Sequence, residues 1–188
     1  MKSAVDAFEA ILAALDKLEI RYAIGGSFAS STYGNYRYTN DIDIVVQIPD
    51  FQVAEFAAAL GPEFYCDIQA MREAFRLGRS ANVVHKPSVF KFDLFPAGEN
   101  RFRLAELNRR VFKDAPFVGR LVECAIVTPE DAILAKLNWI RLSGGGSEKQ
   151  LNDILGVIAV QGDKLDRAYM AATAAELGLG EELNRLFD

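Results

Sequence analysis

The segment Asp41-Ile42-Asp43-Ile44-Val45-Val46 constrains this chain more than any other. Its β-branched run predicts a strand over residues 42–48, and Pro49-Asp50 closes it. Side chains at i and i+2 of a strand share a face. Asp41 and Asp43 therefore project together, with Cα atoms roughly 6.5–7 Å apart at strand rise. Ile42 and Ile44 turn to the core. Two carboxylates at the start of an apolar strand repel each other and lose hydration, and a divalent cation relieves both penalties. An all-oxygen donor set favours magnesium or manganese over zinc.

A third carboxylate follows the same logic. Asp93 interrupts the apolar run Val89-Phe90-Lys91-Phe92-Asp93-Leu94-Phe95, and a charge there needs a partner or a metal. Taken alone, Asp93 also reads as an ion-pair partner of Lys91 or of an arginine. If its strand lies beside the Asp41/Asp43 strand, three carboxylates converge. Two metal ions roughly 3.5–4 Å apart can then clamp an in-line phosphoryl transfer.

Upstream, Ile24-Gly25-Gly26-Ser27 supplies a complementary part. Gly25 and Gly26 let backbone approach a phosphate, and Ser27 adds a hydroxyl that can cap a helix over residues 28–33. The helix start offers N–H groups and a positive dipole end to the β- and γ-phosphates of an NTP. No Gly-Lys-Ser/Thr follows, so this is not a Walker A loop. Arg37 and Thr39 have two readings: contact with phosphate or metal-bound water, or support of the loop that presents Asp41.

Helical periodicity covers residues 3–19, 51–60, 68–77, 100–112, 128–142, 147–161 and 165–177. Strand signals cover 22–24, 64–66, 81–85, 89–95 and 120–127. Thr128-Pro129-Glu130-Asp131 is a strong helix start, with Thr128 as N-cap and Pro129 in the first turn. A mixed α/β core over residues 1–127 thus precedes a helical part over 128–188 that packs on it. The glycine run 144–146 reads as a helix–helix turn.

Composition narrows the function classes. A formal charge of -5 argues against a broad nucleic-acid-binding face. Two cysteines, Cys66 and Cys124, without a CxxC and with His85 as sole histidine, exclude a Cys/His zinc site. Such thiols are usually reduced core groups of a cytoplasmic protein. Asp6, Glu9 and Asp16 interrupt any signal-peptide pattern, and no apolar stretch is long enough for a membrane span. His85 reads as structural, since no G-x-S-x-G elbow accompanies it. The cluster Arg101, Arg103, Arg109, Arg110 and Lys113 reads as a solvated helix face. Phe90, Phe92, Phe95, Phe102 and Phe112 read as core. An apolar helix face could make a homodimer.

Gly25-Gly26-Ser27, a helix, Asp41-x-Asp43 and the later Asp93 together resemble the polymerase-β-like nucleotidyltransferase superfamily. Tyr33-Gly34 and Arg37-Tyr38-Thr39-Asn40-Asp41-Ile42-Asp43 are similar to small bacterial members, including abortive-infection-type toxin nucleotidyltransferases. Thr128-Pro129-Glu130-Asp131, Lys136 and Glu148-Lys149-Gln150-Leu151-Asn152-Asp153 are similar to a helical segment of those proteins. The resemblance implies an α+β nucleotidyltransferase fold: a small mixed sheet flanked by helices, then a C-terminal helical bundle. It implies that Asp41 and Asp43 hold Mg2+ (or Mn2+), and that Asp93 completes the site and helps activate an acceptor hydroxyl. Lys136 would approach the NTP phosphates, with Asp153 following in the next helix. The implied activity moves an NMP from an NTP to a hydroxyl of RNA such as a tRNA end, of a protein, or of a small molecule. A toxin-type member would have an antitoxin partner. The alternative is a catalytically inactive nucleotide- or partner-binding module of the same fold.

Overall fold

A computed structural model describes residues 3–145 and 147–187. Helix α1 (Ala4–Lys17) opens at Ser3, whose hydroxyl accepts from the Asp6 N–H while the Asp6 carboxylate accepts from the Ser3 N–H. This reciprocal cap leaves Phe8, Ile11 and Leu15 on one fully buried face. Then come β1 (Arg21–Ile24), α2 (Gly26–Tyr33) and β2 (Asp41–Gln47). A 3-10 turn (Asp50–Gln52) leads into α3 (Val53–Leu60), followed by β3 (Phe64–Tyr65), α4 (Ile68–Arg76), β4 (Ala81–His85) and β5 (Phe90–Pro96). Helix α5 (Arg101–Arg109), the hairpin β6 (Val111–Phe117) and β7 (Arg120–Ile126), and helices α6 (Pro129–Leu142), α7 (Glu148–Gln161), α8 (Arg167–Leu177) and α9 (Gly180–Asn184) complete the described chain.

The strands form one mixed sheet in the order β3-β4-β5-β2-β1-β7-β6. Strand β2 lies inside it, antiparallel to β1 and parallel to β5. That central place explains its apolar sequence: Ile42, Ile44 and Val46 have no exposed surface, nor do Phe92 and Leu94 beside them. The short strand β3 is an edge strand, as the brief apolar run at 64–66 suggests.

Two expectations change at the β6–β7 hairpin. The helix expected over 100–112 stops at Arg109, and Val111–Phe117 is a strand paired with β7 along its length. Leu104, Leu107 and Val111 keep helical spacing, but the tight turn at Val118-Gly119, both at positive φ, folds β7 back as a ladder partner. Tertiary pairing therefore overrides the local period. Pro116 is tolerated because β6 is the other edge strand. Phe112, expected in the core, points outward and is 63% exposed.

The basic cluster is dispersed rather than displayed on one helix face. Arg103 donates to the carbonyls of Gly78 and Pro96, at 3.2 and 2.8 Å. Arg110 donates to the Leu107 carbonyl, and the Lys113 ammonium lies over the Tyr33 ring at 4.8 Å. His85 is buried, with Nδ1 2.7 Å from the Ser88 hydroxyl. Gly144 and Gly145 take positive φ after α6, while Gly146 lies outside the described residues. Among the described residues no helix is long and apolar enough to cross a membrane.

Two features dock the later helices on α5 and α2. Thr128 caps α6 and donates its hydroxyl to the buried Asp131, which also accepts from the Tyr169 hydroxyl of α8 at 2.5 Å. The Arg109 guanidinium of α5 stacks on that tyrosine at 3.6 Å and reaches Glu130 at 3.4 Å. On the other side, Gly34 ends α2 directly against α7. A Cβ at Gly34 would stand 2.6 Å from the Val157 nitrogen and 2.7 Å from the Gly156 carbonyl carbon. Only missing side chains allow that approach, and it brings α7 to the loop before β2.

Candidate active site

The parallel register of β2 and β5 builds the centre. Asp43 pairs with Asp93 and Asp41 with Lys91, all on one face of the sheet. Neighbouring strands lie roughly 4.8 Å apart, so the Asp43 and Asp93 side chains stand next to each other. The Lys91 ammonium lies 2.8 Å from Asp93 Oδ2 and 3.7 Å from Asp41 Oδ2. The other Asp93 oxygen, Oδ1, is buried and has no hydrogen-bond partner among the described residues. Thr39 donates its hydroxyl to Asp41 Oδ1 at 3.0 Å and to the Asp41 carbonyl at 3.1 Å, so it fixes the loop end.

Burial pushes the Asp43 carboxyl up to about 6, and the charges of Asp41 and Asp93 add to the rise. Lys136 and Lys91 oppose it. The Lys91 ammonium is in turn raised, first by its hydrogen bond to Asp93. Among the described residues, no group of three or more His, Cys, Asp or Glu side chains is gathered closely enough to hold a metal ion. The Lys91 ammonium lies between Asp41 and Asp93 instead.

The glycines meet the carboxylates directly. Gly25 donates its N–H to the Asp43 carbonyl at 2.8 Å, which ties the start of α2 to β2. Gly26 has φ +56°, and a Cβ there would fall 1.7 Å from Asp43 Oδ2. Helix α2 begins at Gly26 with Gly25 as N-cap and no side-chain cap. Ser27 therefore does not cap the helix as expected, because the helix starts two residues earlier, with Gly25 in the cap position. Its hydroxyl accepts from the Arg37 guanidinium.

Beside this lies a charged cluster that spans the sequence. Arg37 donates Nε and Nη2 to the two oxygens of Asp153, each at 2.8 Å. Lys136 donates to Asp153 Oδ2 at 2.8 Å and to Gln150 Oε1 at 2.7 Å. The Lys136 side chain is only 5% exposed, so it is no snorkelling surface lysine. Burial lowers its pKa, although Asp153 works the other way. Burial also opposes ionisation of Asp153, but the hydrogen bonds from Arg37 and Lys136 outweigh it and hold its carboxyl below the ordinary value. Arg37, Ser27, Lys136 and Asp153 thus form one connected group.

Gly25, Gly26, Ser27, Arg37, Thr39, Asp41, Asp43, Asp93, Lys136 and Asp153 lie in these two adjoining clusters. Two contributors were not singled out: Gln150, which shares Lys136, and Lys91 as a bridge to Asp41. Gln150 lies three residues before Asp153 and so shares its face of α7, the one local signal that could have found it.

No family model matches the chain, and no curated protein matches it. Solved structures do. A solution structure of the antibiotic-resistance factor ANT(2'')-Ia matches at TM-score 0.56 and 16% identity, covering 96% of this chain and 96% of its own. A crystal structure of ANT(2'')-Ia in complex with adenylyl-2''-tobramycin matches at TM-score 0.53 and 19% identity, covering 92% and 97%. An antigenic nucleotidyltransferase-like protein from Paracoccidioides brasiliensis matches at TM-score 0.53 and 17% identity, covering 96% and 90%. With its mixed seven-stranded sheet and flanking helices, the chain has the α+β fold of these nucleotidyltransferases.

Proposed function

We propose that this chain is a metal-dependent nucleotidyltransferase that moves an NMP from an NTP to an acceptor hydroxyl. The observation that carries the reading is the β2–β5 register, which sets Asp43 beside Asp93 with Asp41 on the same face. In its chemistry the donor set suits a divalent cation, which would have to draw the three carboxylates closer together than they stand here. The set is all carboxylate, it holds a buried oxygen with no partner among the described residues in Asp93 Oδ1, and Asp41 and Asp93 add their repulsion to the burial that raises the Asp43 pKa. Asp41, Asp43 and Asp93 would hold magnesium or manganese, which when bound supplies charge neutralisation at the reacting phosphate.

The residues around it have separate tasks. The amides at the start of α2 lack a side-chain cap and offer donors to the triphosphate, and Gly26 leaves the passage beside Asp43 open. Ser27 and Arg37 stand at the same edge, and Lys136 adds positive charge held in place by Asp153 and Gln150. In the transfer, the acceptor oxygen bonds to the α-phosphorus. The bond from that phosphorus to the bridging oxygen breaks, and pyrophosphate leaves. The hydroxyl proton passes to a carboxylate, for which Asp93 Oδ1 is the group without a partner. Such a site works by placement and preset charge.

For the acceptor we favour a hydroxyl-bearing small molecule over RNA or protein. The support is the shared fold with ANT(2'')-Ia, which was solved with adenylyl-2''-tobramycin. The toxin-type reading and an antitoxin partner draw on the sequence resemblance alone. A second reading, an inactive nucleotide-binding module, has one observation in its favour: an internal cation, Lys91, already lies against two of the three carboxylates.

An assay with each of four α-labelled NTPs separates the two. It pairs Mg2+ or Mn2+ with aminoglycosides, tRNA and cell extract as acceptors, for wild type and Asp43→Ala. Label transferred only by wild type supports the enzyme and names the acceptor class. No transfer with any acceptor, beside intact nucleotide binding, supports the inactive module.

A further inference from the structure

We infer that Lys91 is a built-in counter-ion that occupies the cation position between Asp41 and Asp93 and vacates it when a divalent metal binds. The inference rests on the metal reading proposed above. Its basis is the sheet itself. Lys91 and Asp93 alternate along β5 and so share a face, and β2 sets Asp41 opposite Lys91 and Asp43 opposite Asp93. The two strands present a four-cornered patch of three acids and one base. The base is held there by backbone register, with its ammonium 2.8 Å from one carboxylate and 3.7 Å from another.

The two lysines of the region are built differently. Lys136 is 5% exposed and saturated by Asp153 and Gln150, so it stays where it is. Lys91 is 39% exposed and, among the described residues, its ion pairs are with two of the carboxylates a metal would take. Its flexible four-carbon stem can carry the ammonium into water at little cost. Without Lys91 the three carboxylates would repel one another in the folded chain. With it they are partly neutralised, so that a divalent ion has to displace a resident charge.

Binding of Mn2+ to the full chain tests this by calorimetry on wild type, Lys91→Met, Lys91→Gln and Lys91→Arg. Thermal unfolding in EDTA and in Mn2+ is measured beside it. Removal of the competing cation is expected to tighten Mn2+ binding roughly three- to tenfold in Lys91→Met and Lys91→Gln. It is also expected to lower the unfolding midpoint in EDTA and enlarge the gain from Mn2+. Lys91→Arg keeps the charge and is expected to bind Mn2+ like wild type. A merely structural lysine would lower the midpoint without tightening the metal. If Lys91→Met does not fold in EDTA, Lys91→Gln carries the comparison. Equal or weaker Mn2+ binding in the neutral variants overturns the counter-ion inference alone. Absence of Mn2+ binding in wild type and all variants overturns the metal reading and this inference with it.

Discussion

Replacing Gly26 by alanine probes the closest approach in the site. The new Cβ would fall 1.7 Å from Asp43 Oδ2, 2.6 Å from its Cγ and 2.8 Å from its Cβ. Ordinary contact between such atoms is about 3.5 Å, so the carboxylate has to move by well over 1 Å. The backbone adds a second penalty, because φ at this position is +56°. A residue with a Cβ costs about 1–2 kcal/mol there, and an overfilled contact costs about 1–3 kcal/mol. If Asp43 holds its place, Gly26→Ala is expected to lose about 2–5 kcal/mol of stability. If Asp43 swings away, the loss shrinks to about 1–2 kcal/mol, but a displacement near 1 Å costs on the order of 100-fold in turnover. Urea unfolding measures the first route, and Mn2+ calorimetry with NTP transfer measures the second. A variant within about 0.5 kcal/mol of wild type that also keeps Mn2+ affinity and transfer would refute the reasoning.

Three further outcomes follow from the packing and charges. Asp153→Ala strands Lys136 and Arg37 and is expected to cost about 3–5 kcal/mol in urea unfolding, more than Arg37→Ala, whose side chain is partly exposed. Because the Asp153 carboxyl is held below 3.8, its stabilisation is full above that pH and disappears as pH falls through the lower folded value; the acid limb of the stability curve should flatten in Asp153→Ala. Glu106 behaves oppositely: burial, with help from Asp131, pushes its carboxyl from 4.5 up to about 8. The folded chain therefore binds a proton that the unfolded chain has lost, and stability falls as pH rises between 4.5 and about 8, by up to about 1.4 kcal/mol per pH unit. Glu106→Gln should remove that slope, and an unchanged slope would count against the burial of a neutral Glu106. Gly34→Ala sets a Cβ against α7 backbone, which cannot rotate away; it is expected to cost about 1–3 kcal/mol and to weaken nucleotide binding by shifting Asp153, read by thermal unfolding and calorimetry.

What the sequence reveals and what it hides divide along a physical line. The Asp41-x-Asp43 strand, the Asp93 strand and the Thr128 cap are legible because alternation and capping are local chemistry. The cap expected at Ser27 lies two residues upstream at Gly25, because Gly26, at positive φ, already starts the helix. The first two residues of β6, Val111 and Phe112, read as the end of a helix because Val111 continues the spacing of Leu104 and Leu107. Only its pairing with β7 decides the matter. The grouping of Arg37 with Asp153 is a contact across 116 positions, which no local pattern in the sequence encodes. Lys91 could be named as a partner of Asp93, but its reach to Asp41 depends on the parallel register, which no local pattern encodes. Gly34 and Gly156 carry no sequence sign of the α2–α7 contact they allow.

The most direct measurement is calorimetric binding of a non-hydrolysable ATP analogue to wild type and Asp43→Asn, in Mg2+ and in EDTA. The expected result is nucleotide binding by wild type that weakens at least about tenfold in EDTA, and binding by Asp43→Asn that is weak in both. Equal binding by both proteins, unaffected by EDTA, would contradict a metal site built on Asp41, Asp43 and Asp93.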